Sequence, residues 1–157
     1  MDKMEYPTPF VLHFSRTYLS WYEENPEDYI LKMKGTDVDL AAHFMIIKKR
    51  GITLHGKPID QVFGEIQETA YMESIREDIA DAKNMVVGDP VYTILSLCRV
   101  VAFVEEGLVL SKKEGGEWGL QHVKEPFHKF ILEALSCYES DEMMETGEEA
   151  IPFLTIC

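Results

Sequence analysis

Cysteine is scarce in this 157-residue chain, which carries only Cys98, Cys137 and Cys157. They are odd in number, widely spaced and without CxxC or CxxH patterns, which argues against a disulfide framework or a thiolate zinc site. Positive charge is scarce too, with 15 Lys+Arg against 28 Asp+Glu and a net charge of −13. A surface of that sign repels polyanions, so neither nucleic acid nor an anionic membrane is an expected partner. No apolar run approaches the ~18 residues that a bilayer-spanning helix needs. Residues 1–5 lack the basic-then-apolar layout of a secretory leader, and with ordinary thiols the chain reads as cytoplasmic. P-loop, GxSxG and GxGxxG motifs are missing, and none of the five histidines has HxxxH spacing.

What is there is core material. Hydrophobic residues make up 46% and aromatics 11%, enough to exclude intrinsic disorder despite 27% charged residues. The length suits one domain, or one domain plus a stub.

Two short strands are expected at the front. Phe10-Val11-Leu12-His13-Phe14 is too brief for a helix and reads as a buried strand. Ile52-Thr53-Leu54-His55, closed by Gly56, reads as another. Between them a short helix over 15–24 carries Trp21 and Tyr22 and stops at Asn25-Pro26. A clearer helix follows, with Thr36 as cap, Asp39 three positions later, and Leu40, Ala41, Phe44 and Ile47 as its inner stripe. Lys48-Lys49-Arg50 crowd its last turn and Gly51 ends it.

From about residue 66 the pattern is helical. Met72, Ile75, Ile79, Ala82 and Val86 keep i, i+3, i+4 spacing. Asp89-Pro90 is a cap followed by proline at the first helical position. The helix it opens, about 90–106, is apolar on nearly every face and must be central. Ser111 with Glu114 gives a capping box for a helix through His122. Pro126 opens a further helix with the stripe Phe127, Phe130, Ile131, Ala134, Leu135 and Tyr138, and the tail 142–157 has room for a last one. The expected fold is mainly α: a helical bundle of four to five helices with one or two short N-terminal β-strands. Residues 1–65 hold the short strands and helices, and residues 66–157 the bundle.

Several residues have two readings. Lys112 and Lys113 sit in the first turn of a capped helix, where the dipole favours negative charge. They are either solvated surface lysines or the basic part of a phosphate site at a helix N-terminus. Arg99, inside the apolar central helix, needs either an internal acidic partner or an anionic ligand. Asp89 is economically an N-cap, with one carboxylate oxygen left for a cation. Trp21 beside Tyr22 either packs on the core or stacks on a ligand. Gly115-Gly116, inside a helix, permits close packing.

The stretch DPVYTILSLCRVVAFVEEGLVLSKKEGGEWGL (residues 89–120) resembles the C-terminal helical domain of the aminoglycoside adenylyltransferases that modify streptomycin and spectinomycin. So do GTDVDLAAHFMIIKKRGITLHGKPIDQVF (residues 35–63) and the PTPFVLHFS run, in the same order, over roughly residues 7–140. The resemblance implies a protein family in which a nucleotidyltransferase domain, with a glycine-serine loop and a magnesium-holding aspartate pair, precedes the helical domain. ATP and drug lie between the two, and AMP passes to a drug hydroxyl with a glutamate as general base.

Carried over residue by residue, the resemblance puts Trp21, Asp89 and Tyr92 at drug-contacting positions. Arg99, Lys112 and Tyr138 fall at positions contacting the nucleotide. The general-base position falls on Val11, which accepts no proton, and the glycine-serine loop and aspartate pair have no counterpart in this sequence. No catalytic residue and no metal ligand is therefore expected, and neither ATP nor Mg²⁺ is expected to be bound tightly by this chain. The implied function is the C-terminal portion of an aminoglycoside nucleotidyltransferase-like protein, inactive alone. The alternatives are a module that binds a cationic aminoglycoside such as streptomycin, or a nucleotide, and an interaction subunit that forms a homodimer.

Overall fold

The computed structural model describes residues 3–140, 142–144 and 148–156, so Cys157 and part of the tail lie outside it. The chain divides into two units, Met1–Ser74 and Ile75–Cys157. Among the described residues the fold is mainly α, with one two-stranded antiparallel sheet.

In the first unit, β1 (Thr8–Phe10) pairs with β2 (Gly35–Asp37), setting Thr8 opposite Asp37 and Phe10 opposite Gly35. This corrects the sequence reading in three places. The strand expected over residues 10–14 ends at Phe10, and Val11 beyond it is 88% exposed. Residues 52–55 form no strand, and Leu54 is 95% exposed. The true second strand takes Thr36, which therefore does not cap the next helix. Strand formation depends on finding a partner far along the chain, which local apolarity does not reveal.

Between the strands lie α1 (Leu19–Glu24) and α2 (Pro26–Lys32). The second was not anticipated. Asn25 starts it rather than merely ending α1: its side chain accepts from the Asp28 N–H, and Pro26 takes the first helical position. Tyr29 of α2 is fully buried, donates to the His13 carbonyl and is met edge-on by Phe14, Trp21 and Tyr22.

Helix α3 (Leu40–Arg50) buries Ala41, Ala42 and Met45, while Leu40, Phe44 and Ile47 of the expected stripe are half-buried. The start of the helix is held by Ser74. The Ser74 hydroxyl accepts from Ala42 N–H and donates to the Asp39 carbonyl. The short α4 (Ile59–Val62) follows, and the Phe44 and Phe63 rings lie 5.0 Å apart. The boundary between the units falls within α5 (Glu68–Asp78).

The second unit contains α6 (Ala82–Gly88), α7 (Pro90–Glu106), α8 (Lys112–His122) and α9 (His128–Ser140), then a 3-10 segment, Glu148–Ile156. The periodic stretch from Met72 to Val86 spans two helices, α5 and α6. Helix α7 is central, as its all-round apolarity demands, and Gly107 ends it in the left-handed conformation (φ 68°) that glycine adopts without strain. Ile94, Leu95 and Ile131 are fully buried. Each such side chain is worth roughly 1.5–3 kcal/mol of burial. The glycines of α8 set how closely it approaches: a Cβ on Gly116 would lie 2.7 Å from a Leu135 methyl and 2.8 Å from a Leu95 methyl. No helix among the described residues is long and apolar enough to cross a membrane.

Candidate functional site

Two helix N-termini in the second unit define the site. Asp89 caps α7 by accepting from the Tyr92 N–H at 3.0 Å, and Pro90 fixes the first turn. Ser111 and Glu114 cap α8 reciprocally: the Ser111 N–H donates to the Glu114 carboxylate (2.8 Å), and the Glu114 N–H donates to the Ser111 hydroxyl (3.2 Å). Both caps were legible because each is a short local pattern.

A cleft of about 520 Å³ opens beside these termini, lined by Asp89, Tyr92, Lys112 and Tyr138. Four residues chosen from sequence therefore share one cavity. Sequence reasoning missed the rest of the lining, including Val87, Cys137, Glu142 and Met143. Their polar and apolar side chains carry no motif, and only the packing of α6, α7 and α9 brings them together.

Lys112 and Lys113 part company. Lys113 points away to pair with Glu139 on the surface, and that carboxylate holds its ammonium above the usual lysine value. Lys112 turns into the cleft, with its Nζ 3.9 Å from the centroid of the Tyr92 ring. An ammonium over an aromatic face is attracted by the ring quadrupole. The Tyr92 hydroxyl donates to Asp78 at the end of α5. Partial burial pushes the Lys112 ammonium below the usual lysine value, the Arg99 guanidinium lowers it further, and Asp89 and Asp78 pull the other way.

Arg99 does not line this cleft. Its Nε donates to the Leu110 carbonyl at 2.8 Å, tying α7 to the residue before the α8 cap. Gly115 leaves room for its stem, since a Cβ there would come within 2.6 Å of the Arg99 Cγ.

Trp21 and Val11 belong to the first unit. The Trp21 indole donates to Asp28 at 3.1 Å and its ring meets Tyr29 edge-on, 5.2 Å between centroids. Val11 follows β1 with its side chain open to solvent. Among the described residues no cluster of three His, Cys, Asp or Glu is arranged to hold a metal ion. His122 lies flat on Trp118, its ring 4.2 Å away, with Glu106 within 3.2 Å.

The model of the aminoglycoside adenylyltransferase C-terminal domain matches residues 61–154. Among solved structures, the spectinomycin adenyltransferase AAD(9) from Enterococcus faecialis, crystallised with ATP and spectinomycin, superimposes with a TM-score of 0.72 at 19% identity. The match covers 92% of this chain and 57% of that one, so the chain spans little more than half the length of this neighbour. No curated protein sequence matches significantly.

Proposed function

This chain belongs to the aminoglycoside adenylyltransferase family, which it matches over the C-terminal domain, and from that premise we propose that it is the ligand-holding, helical portion of an aminoglycoside nucleotidyltransferase-like protein. One observation carries the reading: an acidic cap, Asp89, and a half-buried ammonium, Lys112, line the same cleft. Such a cleft suits an anion and a cation together, as a reaction between a nucleotide and a cationic drug requires.

Each side chain then has a role. Asp89 uses one oxygen to cap α7 and turns the other toward a cationic group of the drug. Lys112 neutralises nucleotide phosphate at the N-terminus of α8, where the helix dipole adds to its charge. Arg99, tied to the Leu110 carbonyl through Nε and outside the cleft lining, adds its positive charge beside Lys112 for the same anion. Tyr92 and Tyr138 supply aromatic wall, Tyr92 on the drug side and Tyr138 near the nucleotide. Trp21 is assigned to stacking on the drug. When bound, ATP supplies the adenylyl group. The described residues offer no donor cluster for Mg²⁺, and no step assigned to this chain runs through that ion.

The proposal includes inactivity of the chain alone, because the family's general-base position is Val11. An alkyl group neither accepts the proton of the attacking hydroxyl nor orients it. Ligand capture without chemistry is the second reading, favoured by the same valine combined with a retained cleft. Homodimerisation is a further part of it, motivated by the exposed apolar Val11, Phe14 and Leu31. Sedimentation at high concentration checks it, and a monomer there removes it.

Calorimetry with Mg-ATP and with streptomycin tests the reading. Saturable binding is expected for both. Asp89→Asn should weaken streptomycin by about tenfold or more, the value of a charge-assisted hydrogen bond, and spare Mg-ATP; Lys112→Ala should do the reverse. Absence of saturable heat at millimolar ligand, or equal effects of both substitutions on both ligands, overturns it. Mass analysis after incubation of drug with Mg-ATP covers the inactivity, which an AMP adduct made by this chain alone would falsify.

A further inference from the structure

Asp78 lines no wall of the cleft, yet it is one contact away from the cleft's cation. It stands at the last position of α5, half-buried, and accepts the hydroxyl proton of Tyr92. The face of that same ring carries the Lys112 ammonium, 3.9 Å from the centroid. Three residues from three helices, α5, α7 and α8, are thus stacked as carboxylate, phenol and ammonium.

We propose that Asp78 is a positioning residue for the cleft: by holding the Tyr92 hydroxyl it fixes the ring on which Lys112 rests, and so decides where the ammonium stands. The physical reason lies in the freedom of the parts. A lysine side chain has four rotatable bonds and loses considerable entropy when ordered. A tyrosine ring has two, and a charge-assisted bond from its hydroxyl removes most of their remaining freedom. A ring held at both ends is a fixed platform, and its quadrupole draws the ammonium to one face. Without the carboxylate the ring still attracts a cation, but at no single position.

The charged groups around Lys112 are consistent with such a device. Burial and Arg99 act against its charge, while Asp89 and Asp78 favour it. Asp89 acts on Lys112 directly through its charge, whereas Asp78 also reaches it through the intervening Tyr92 ring. The consequence for ligand binding rests on the reading of the cleft as a nucleotide site; the arrangement of the three side chains does not.

The test reads the arrangement without ligand. With ¹³C-labelled lysine, the ε-methylene protons of Lys112, assigned through Lys112→Arg, are expected upfield of the surface lysines because of the Tyr92 ring current. Lys129, whose Nζ lies 4.6 Å from the Phe130 centroid, is the internal control for an intact fold. Asp78→Ala and Tyr92→Phe should each remove most of the Lys112 upfield shift and leave that of Lys129. Asp78→Asn, whose amide oxygen accepts the same hydroxyl, should largely restore it.

An unshifted Lys112 in the unmodified chain overturns the proposal. So does an upfield shift that survives Asp78→Ala, or one lost in Asp78→Ala and kept in Tyr92→Phe. A loss in Asp78→Asn equal to that in Asp78→Ala also overturns it, because charge rather than hydrogen bonding would then be responsible. Where Asp78→Ala collapses the Lys129 shift as well, the fold has gone, and Tyr92→Phe, which deletes only the hydroxyl, decides. A second arm titrates Mg-ATP. Asp78→Ala and Tyr92→Phe should each weaken it several-fold, and the double substitution no further, as residues acting in series do. If the unmodified chain binds no Mg-ATP, the nucleotide reading fails, and the lysine shifts still decide the role of Asp78.

Discussion

Half-burying an ammonium next to a guanidinium costs folding free energy, and Lys112 bears that cost in the unliganded chain. Its folded-state value lies below the ordinary lysine value of 10.5. At pH below the folded value both folded and unfolded chains hold the proton, and the folded one carries the penalty. As pH rises from there toward the unfolded value the unfolded chain binds more protons, so stability rises until the penalty is gone. Lys112→Met is therefore expected to raise stability at pH 7 by under about 1 kcal/mol, because solvent still screens the group, and so to raise the thermal midpoint. The advantage should narrow as pH is raised toward 10.5, and a melting series over that range checks it. The same substitution should abolish the stabilisation that Mg-ATP gives the unmodified chain. Asp89→Asn is the complementary case. Asparagine caps a helix about as well as aspartate, so its midpoint should fall only slightly, through loss of the Asp89 charge near Lys112, and a large loss of streptomycin is then an effect on the ligand rather than on the fold.

Helices α7 and α8 could be read from the sequence to within a residue because their start signals are local. Asp89-Pro90 and Ser111-x-x-Glu114 act within one turn of chain, and both form as expected. The front of the chain was less legible because its signals are answered from a distance. β1 finds its partner at Gly35–Asp37, and the first turn of α3 is held by Ser74, more than thirty residues on. The apolar Val11 and Leu54 then remain exposed although their neighbours suggested strands. These differences predict where substitutions hurt. Ser111→Ala should cost about 1 kcal/mol by losing the capping box. Gly116→Ala should cost about 1–3 kcal/mol by overpacking, since its Cβ meets Leu95 and Leu135. Gly88→Ala, with nothing within 4 Å of a Cβ there, should be close to neutral. Urea denaturation of the three variants gives the order directly, and a Gly116→Ala chain as stable as the parent would show that α8 is looser than its contacts imply.

At the scale of the whole molecule the net charge of −13 and the two local cations, Arg99 and Lys112, act on the two proposed ligands with different ranges. The site was only partly legible for a related reason. Asp89, Tyr92, Lys112 and Tyr138 could be chosen one at a time, but their meeting in one cleft, and the part played by Asp78, depend on how α5, α7, α8 and α9 pack. A polycationic drug is drawn by the field of the whole surface and by Asp89 in the same direction. A nucleotide is repelled by that field and held by two nearby positive groups. Salt screens the long-range part first, the Debye length falling from ~30 Å at 0.01 M to ~10 Å at 0.1 M. Over that range streptomycin loses attraction of both kinds, and its affinity should fall several-fold. The nucleotide loses long-range repulsion while its short contacts to the half-buried Lys112 are screened much less, so its affinity should change little or rise. Calorimetric titrations of both ligands across the range separate the two contributions. A nucleotide affinity that falls as steeply as that of the drug would mean that the anion is held by diffuse surface charge and not by Lys112 and Arg99.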